Sequence, residues 1–278
     1  MDEIQSQRQA ARERGIPESV IELWLGLARP QLVFSRIEDH NGAADAQTAG
    51  RYGGHPALPA DVDWDGYPDF TAEIDCAALP PDLPGFPLPK HGTLLLFGSK
   101  EEPFDYSDAE AERRGRVLYI PAGTPTSERI PPSSPDYPDY YCVPFLLRCT
   151  QHWTLPDSED PTVFLNEEYS ALFEQYDLNS LMTDSAGAGV LSLAGHGIAV
   201  QDHPCLSYSD EQRCGSSNWR LLAESTATLG PHGFDGSSFW SIPAEDLNAR
   251  RFDRVMFDTQ MHDSRGTFTI AGQSLPTT

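Results

Sequence analysis

Four side chains of this sequence could together hold a metal ion. His196, His203, Cys205 and Cys214 fall within nineteen residues and mix the imidazole and thiolate donors that zinc accepts. Their spacing, H-x6-H-x-C-x8-C, is not that of a standard structural zinc site, and a surface loop with incidental histidines and free thiols is the competing reading. A second set could do acid–base work: Asp61, Asp63, Asp65, Glu73 and Asp75, with Glu224 far downstream. General acid–base catalysis needs carboxyl groups in a cleft whose environments push their pKa values apart. Glu73 and Asp75 share one face of the extended segment "FTAEID", and burying both would be costly unless they were hydrogen-bonded. The alternative is a solvated edge in a proline-rich loop. "DVDWDG" resembles the oxygen-rich start of a calcium-binding loop but lacks its terminal bidentate glutamate.

Other chemistries leave no trace. There is no GxxxxGK[ST] or GxGxxG to cradle phosphate and no GxSxG nucleophile elbow. "AGAGV", Ala186 to Val190, follows a helical pattern instead of opening one and reads as a turn. No cofactor is expected.

The elements that must position these residues are mostly strands. The chain has 278 residues, 39% of them hydrophobic, with five tryptophans, ten tyrosines and thirteen phenylalanines. That suffices for a packed core without disulfides or metal. Five cysteines in this length do not read as a disulfide framework. Residues 1–28 predict a helical segment packed on the body, with Gly15 as a helix stop and Val20, Ile21, Trp24, Leu25 and Leu27 as the apolar face of a second helix. Residues 29–278 predict a single domain. "QLVFSRI", "FTAEID", "GTLLLFG", "GRVLYIPAG", "FLLRCTQHWTLP", "HGIAVQD", "NWRLLAEST", "SSFWSIP" and "FDRVMFDTQ" read as strands between turns. Asn166 to Met182 reads as the central helix, with Asn166 as its N-cap. The fold class is therefore α+β, with mainly antiparallel β-sheets, N-terminal helices and one central helix. "FTAEID" and "RLLAEST" echo each other, each followed by a strand entered through glycine; two related β-units fused in one core would produce this, as would chance. In the stretch from Gly53, the pair Gly53-Gly54 with Pro56 and Pro59 fixes a turn that feeds Trp64 and Phe70 inward. Trp64, Trp153, Trp219, Phe239 and Trp240 read as core fillers, the alternative being an exposed patch that anchors a partner.

Charge bounds the partners. The chain carries 42 acidic against 19 basic residues, net −23, so its surface repels nucleic acid and anionic membranes. A protein partner with a basic surface fits instead. "MDEIQSQRQAARERG" lacks the layout of a signal peptide, and no run of 18 apolar residues occurs. A soluble, cytoplasmic protein is expected.

Seven phrases carry a family resemblance: "YGGHPALPADVDW", "FTAEIDCAALP", "LPKHGTLLLF", "WTLPDSEDP", "LAGHGIAVQD", "NWRLLAES" and "FWSIPAEDLNARRFDRVMF". In this order they resemble the YwqG-like family, bacterial domains of unknown function, from about Arg29 to His262. The resemblance marks Gly53, Gly54, Pro56, Pro59, Trp64, Gln201, Asp202, Trp219, Asp235 and Gly236 as motif positions. The family tends to have "LAQID", "LLLQ" and "WGD" where this chain has Thr71 to Asp75, Leu221 to Glu224 and Gly233 to Asp235, so two glutamines become Glu73 and Glu224. The resemblance implies a compact, β-rich α+β fold and, in some genomes, a place beside toxin and immunity genes. The expected function is a non-enzymatic protein-binding module, of immunity or inhibitor type. The alternative is a metal- or carboxylate-dependent hydrolase using Glu73, Asp75, Glu224 or the His196–Cys214 cluster.

Overall fold

A computed structural model describes residues 3–39, 47–81, 83–99, 114–132, 141–182, 189–198, 203–207, 219–226 and 236–261. Twelve strands occur among them: β1 Arg29–Arg36, β2 Gly50–Tyr52, β3 Ala57–Leu58, β4 Phe70–Asp75, β5 Thr93–Gly98, β6 Gly115–Ile120, β7 Ser127–Glu128, β8 Phe145–Thr154, β9 Leu191–Ala194, β10 Trp219–Ser225, β11 Gly236–Pro243 and β12 Met256–Met261. The helices are α1 Glu3–Glu13, α2 Glu18–Leu25, α3 Pro161–Phe164, α4 Glu167–Tyr176, α5 Pro204–Ser207 and α6 Ala244–Ala249.

Ten strands form one sheet in the order β12-β11-β10-β9-β1-β8-β2-β4-β5-β6, while β3 and β7 pair separately. Every pairing is antiparallel. The order is that of two four-stranded meanders, β2-β4-β5-β6 and β9-β10-β11-β12, flanking the central pair β1 and β8. The sheet curls until its edges almost meet. Gly98 and Gly115 lie opposite each other on β5 and β6, and a Cβ on either would overlap Phe257 of β12. The Trp240 indole N–H donates to the Phe97 carbonyl at 2.8 Å. Missing side chains at two glycines thus make room for two aromatic rings, and the sheet becomes a nearly closed barrel.

The barrel interior is filled by one face of each strand, including Leu32, Phe34, Ile74, Leu94, Leu96, Leu147, Leu193, Trp240 and Phe257. A second apolar cluster joins α1 and α2 to α3 and α4 through Trp24, Ile21, Val163 and Phe173. A third, around Phe70, Leu95 and Phe97, is where Trp64 packs. The helical segment expected before residue 29 is present, with Gly15 in the left-handed region after α1.

Two elements differ from expectation. Asn166 caps α4, accepting from the Glu168 and Tyr169 amides, but the helix ends at Tyr176 because Asp177 turns left-handed (φ 48°), and a 3-10 turn follows over Leu178–Leu181. That helix lies with α1 and α2 in the second cluster, outside the barrel. Of the strand expected over "HGIAVQD", residues 199–202 lie outside the described residues and 196–198 are not in a strand, while β9 lies earlier, at Leu191–Ala194. Consecutive positive φ values at Ala194 and Gly195 stop it. Among the described residues, no helix is long and apolar enough to cross a membrane.

Candidate functional site

The early end of β9 opens the site. Its four residues pair with β1 only over Gln31–Phe34 and with β10 only over Ala223–Ser225. Beyond Ala194 the ends of β1 and β10 therefore flank a gap, and the segment from Asp160 to Tyr169 roofs it. The result is a cleft of about 490 Å³ lined by Arg29, Arg220, Asp160, His203, Trp219 and Tyr169, with Leu165, Leu221 and Cys205 among its apolar surfaces. Pockets that hold small ligands run from about 300 to 1,000 Å³.

Asp160 is the organiser. "DSEDP" winds into a turn in which the Asp157 carboxylate accepts from the Glu159 and Asp160 amides at 2.9 and 2.8 Å. Asp160 then caps α3, accepting from the Thr162 amide at 2.8 Å with Pro161 in the first turn. Its other oxygen takes the His196 Nδ1 proton at 2.6 Å. His196 Nε2 donates to the Leu27 carbonyl at 2.9 Å, and its backbone amide to Thr154 Oγ1 at 2.9 Å. One buried histidine, through its ring and its backbone amide, thereby ties the roof, the loop after α2 and the end of β8 together. Burial alone would raise the Asp160 carboxyl. The hydrogen bond and charge of His196, then Arg29 and His203, outweigh it and hold the group well below the usual carboxylate range.

His203 is also buried. Its Nδ1 accepts from the Cys205 amide at 3.2 Å, opening α5, and its Nε2 stands 3.9 Å from Asp160 Oδ2. Burial pushes its pKa down to about 4, with Asp160 opposing and His196 and Arg29 adding to the fall. At neutral pH this ring is uncharged and carries its proton on Nε2.

Arg29 donates to Thr162 Oγ1 at 3.0 Å, and among the described residues no carboxylate forms an ion pair with it. Burial lowers its pKa, Asp160 resists, and the like charge of Arg220 lowers it further. Arginine keeps its proton in proteins. The downward pull reflects burial that Asp160 only partly offsets.

The residues singled out in the sequence divide. His196, His203 and Cys205 do converge near Asp160, buried instead of lying on a surface loop, and Trp219 joins His203 and Cys205 in the cleft wall. Cys214, Gln201, Asp202 and Asp235 lie outside the described residues. Among the described residues, no three histidine, cysteine or carboxylate side chains are arranged to hold a metal ion. Glu73 is on β4, half-buried, and grips Arg51 through both oxygens at 3.2 and 3.1 Å. Asp75 is exposed and caps a 3-10 turn through the Ala77 amide. Glu224 is buried on β10, accepts from the Ile198 amide at 3.3 Å, and is pushed by burial up to about 7. These three carboxylates do not meet. Gly53 and Gly54 take positive φ values of 71° and 75°, Pro56 and Pro59 offer their carbonyls to Arg129 and Val62, and the Trp64 indole donates to Pro68. Gly236 opens β11. Asp160, Arg29 and Arg220 went unnoticed in the sequence. Nothing local joins Asp160 to His196.

Fold and site together define an antiparallel, nearly closed β-barrel with a helical layer and a polar, arginine-lined cleft at the end of β9. Residues 50–260 match the family described as "Domain of unknown function (DUF1963)", and the chain belongs to it. No curated protein matches the sequence.

Proposed function

We propose that this protein is a binding module whose cleft captures an anionic group between Arg29 and Arg220. One observation carries the reading. Arg29 lines the cleft and, among the described residues, forms no ion pair; the Asp160 carboxylate beside it has both oxygens spent on Thr162 and His196. Guanidinium groups match planar anions through paired hydrogen bonds, and a partly dry cleft strengthens them.

Binding fits the geometry better than acid–base catalysis. Both His196 nitrogens donate to oxygens, and the one lone pair of neutral His203 is engaged by the Cys205 amide, so neither ring offers a base. The likeness between the two meanders supports descent from two related β-units. Each second strand carries an Ala-Glu pair immediately after a register irregularity, at Ala72-Glu73 and Ala223-Glu224. The finer YwqG-like designation, and the bacterial setting that goes with it, rest on the quoted sequence phrases.

The test is a titration with acetate, read by the indole N–H resonance of Trp219. A saturable shift that disappears in both Arg29→Gln and Arg220→Gln is expected. Shifts that do not saturate, or that persist in both variants, would refute anion capture.

A further inference from the structure

Gly195 to Ile198 form a short strap that leaves the end of β9 and lies over β10. At its start the His196 ring is tied to Asp160 and to the Leu27 carbonyl. At its far end the Ile198 amide donates to Glu224 Oε2 at 3.3 Å. We infer that Glu224 is a proton-operated latch for this strap. With its proton in place, the carboxyl lets Gly197 and Ile198 close over β10; once ionised, it loosens them.

The strap backbone is the cover of the carboxyl. An added Cβ on Gly197 would stand 2.6 Å from Leu221 Cδ2 and 3.6 Å from Glu224 Oε2, so only glycine lets the chain pass this close. Glu224 beneath it is 5% exposed. Ile198, in contrast, is 55% exposed, and its side chain contributes little burial to hold the far end down. Segments with few buried apolar contacts are the ones that open locally while the rest of a fold stays intact.

The groups that face Glu224 carry no charge. They are Ser192 from β9, Phe239 from β11, Leu221 from its own strand, and the backbone of Gly197 and Ile198. Titratable groups of the elements packed around β10 are engaged elsewhere. His196 is bound to Asp160, Cys205 of α5 to Ser241 Oγ at 3.5 Å, and His203 to the Cys205 amide. Asp258 of β12 lies beyond Phe239 and accepts from Gln260 at 3.0 Å.

One amide does not replace the water that a carboxylate needs, and no cation among the described residues makes up the difference. Burial accordingly keeps the proton on Glu224 up to about pH 7 while the strap is closed. Lifting Gly197 and Ile198 wets both oxygens and returns the carboxyl to its ordinary value of about 4.3. Opening therefore releases a proton. Its equilibrium grows by up to about tenfold per pH unit between those two values and is level outside them. Closure is strongest in acid and weakens toward neutrality. The latch does not depend on anion capture, although Leu221 belongs to both the strap contact and the cleft wall.

The experiment is amide hydrogen exchange followed by NMR from pH 5 to pH 8.5, with rates expressed as protection relative to an unfolded chain. The Ile198 amide is expected to be less protected than amides of the central strand β1. Its protection should fall more than about tenfold between pH 5 and 7 and then level off. In Glu224→Gln it should not change with pH. The carboxyl carbon resonance of Glu224 in the parent gives a second reading that needs no variant, with a midpoint near 7 expected. Ile198 protection that is flat with pH, that falls equally in Glu224→Gln, or that equals the protection of β1 throughout would overturn the inference. A Glu224 midpoint in the ordinary carboxylate range would do the same.

Discussion

Glu73 and Glu224 occupy the same place in the two meanders, each directly after a register irregularity on the second strand, yet they sit in opposite electrostatic settings. Glu73 faces Arg51 across β2 at 3.1 Å. Glu224 faces Ser192 and Phe239 on its neighbouring strands and has the Ile198 amide as a donor. Glu73 thus has an arginine partner on its neighbouring strand, where Glu224 has a serine and a phenylalanine opposite it.

Glu224 should make the protein weaker as pH rises. Its carboxyl is pushed up to about 7 when folded, against about 4.3 when unfolded. Below the lower value both states hold the proton. Between the two, only the folded state keeps it, so stability falls with rising pH until about 7. Glu224→Gln should match the parent at pH 4.5 and exceed it at pH 8 by up to roughly 3 kcal/mol. Urea denaturation at the two pH values measures this.

His203 should act in the opposite sense. Its folded pKa of about 4 lies below the unfolded value of about 6.5. The unfolded state takes up a proton first, so stability present above 6.5 is lost as pH falls toward 4. The stake is roughly 3 kcal/mol. His203→Gln should flatten the acid limb of a stability–pH profile, whereas Glu224→Gln should leave that limb in place.

Breaking the Asp160–His196 pair should be costly because both partners are buried. Asp160→Asn keeps an N-cap oxygen but leaves the imidazole without its counter-charge. A loss of about 3 to 5 kcal/mol is expected for such a deletion. The double variant Asp160→Asn with His196→Gln should lose clearly less than the sum of the two single changes. A double-mutant cycle on urea midpoints reads this coupling, and strict additivity would show that the pair does not hold the roof.

Closure of the barrel rests on glycine. Gly115→Ala would drive a methyl group into Phe257 and should cost about 1 to 3 kcal/mol as overpacking. Gly123→Ala makes a control for steric overlap, since nothing stands within 4 Å of its added carbon, although its φ of 82° carries its own strain. Combining Gly115→Ala with Phe257→Leu should recover part of the loss if the overlap is its cause. Thermal melts compare the three variants.

The sequence made much of this fold legible, and the reasons are local. Alternation in "FTAEID" and the short apolar run in "GTLLLFG" give strands, and Asn166 gives a helix start. The strand-ending turn at Ala194 was hidden, because alanine gives no sign of a positive φ before it is seen. The histidine pair was legible as a cluster, but its organiser Asp160 lies 36 residues from His196. Arg29 read only as a residue between the second helix and the strand "QLVFSRI", and Arg220 as a strand residue; both line the cleft because β9 is short and its two neighbours outrun it. Glu224 was legible as an echo of Glu73, whereas its burial depends on there being no counterpart of Arg51 beside it.

The most direct test of anion capture is a crystal structure of the protein soaked in 4-bromobenzoate, whose aryl bromide does not alkylate Cys205 or His203, with the bromine located by its anomalous signal. The account predicts a peak in the cleft, the carboxylate within about 3 Å of the Arg29 and Arg220 nitrogens and the bromine toward Leu165 and Trp219. An ordered 4-bromobenzoate bound only elsewhere, with the cleft holding solvent between the two arginines, would contradict it.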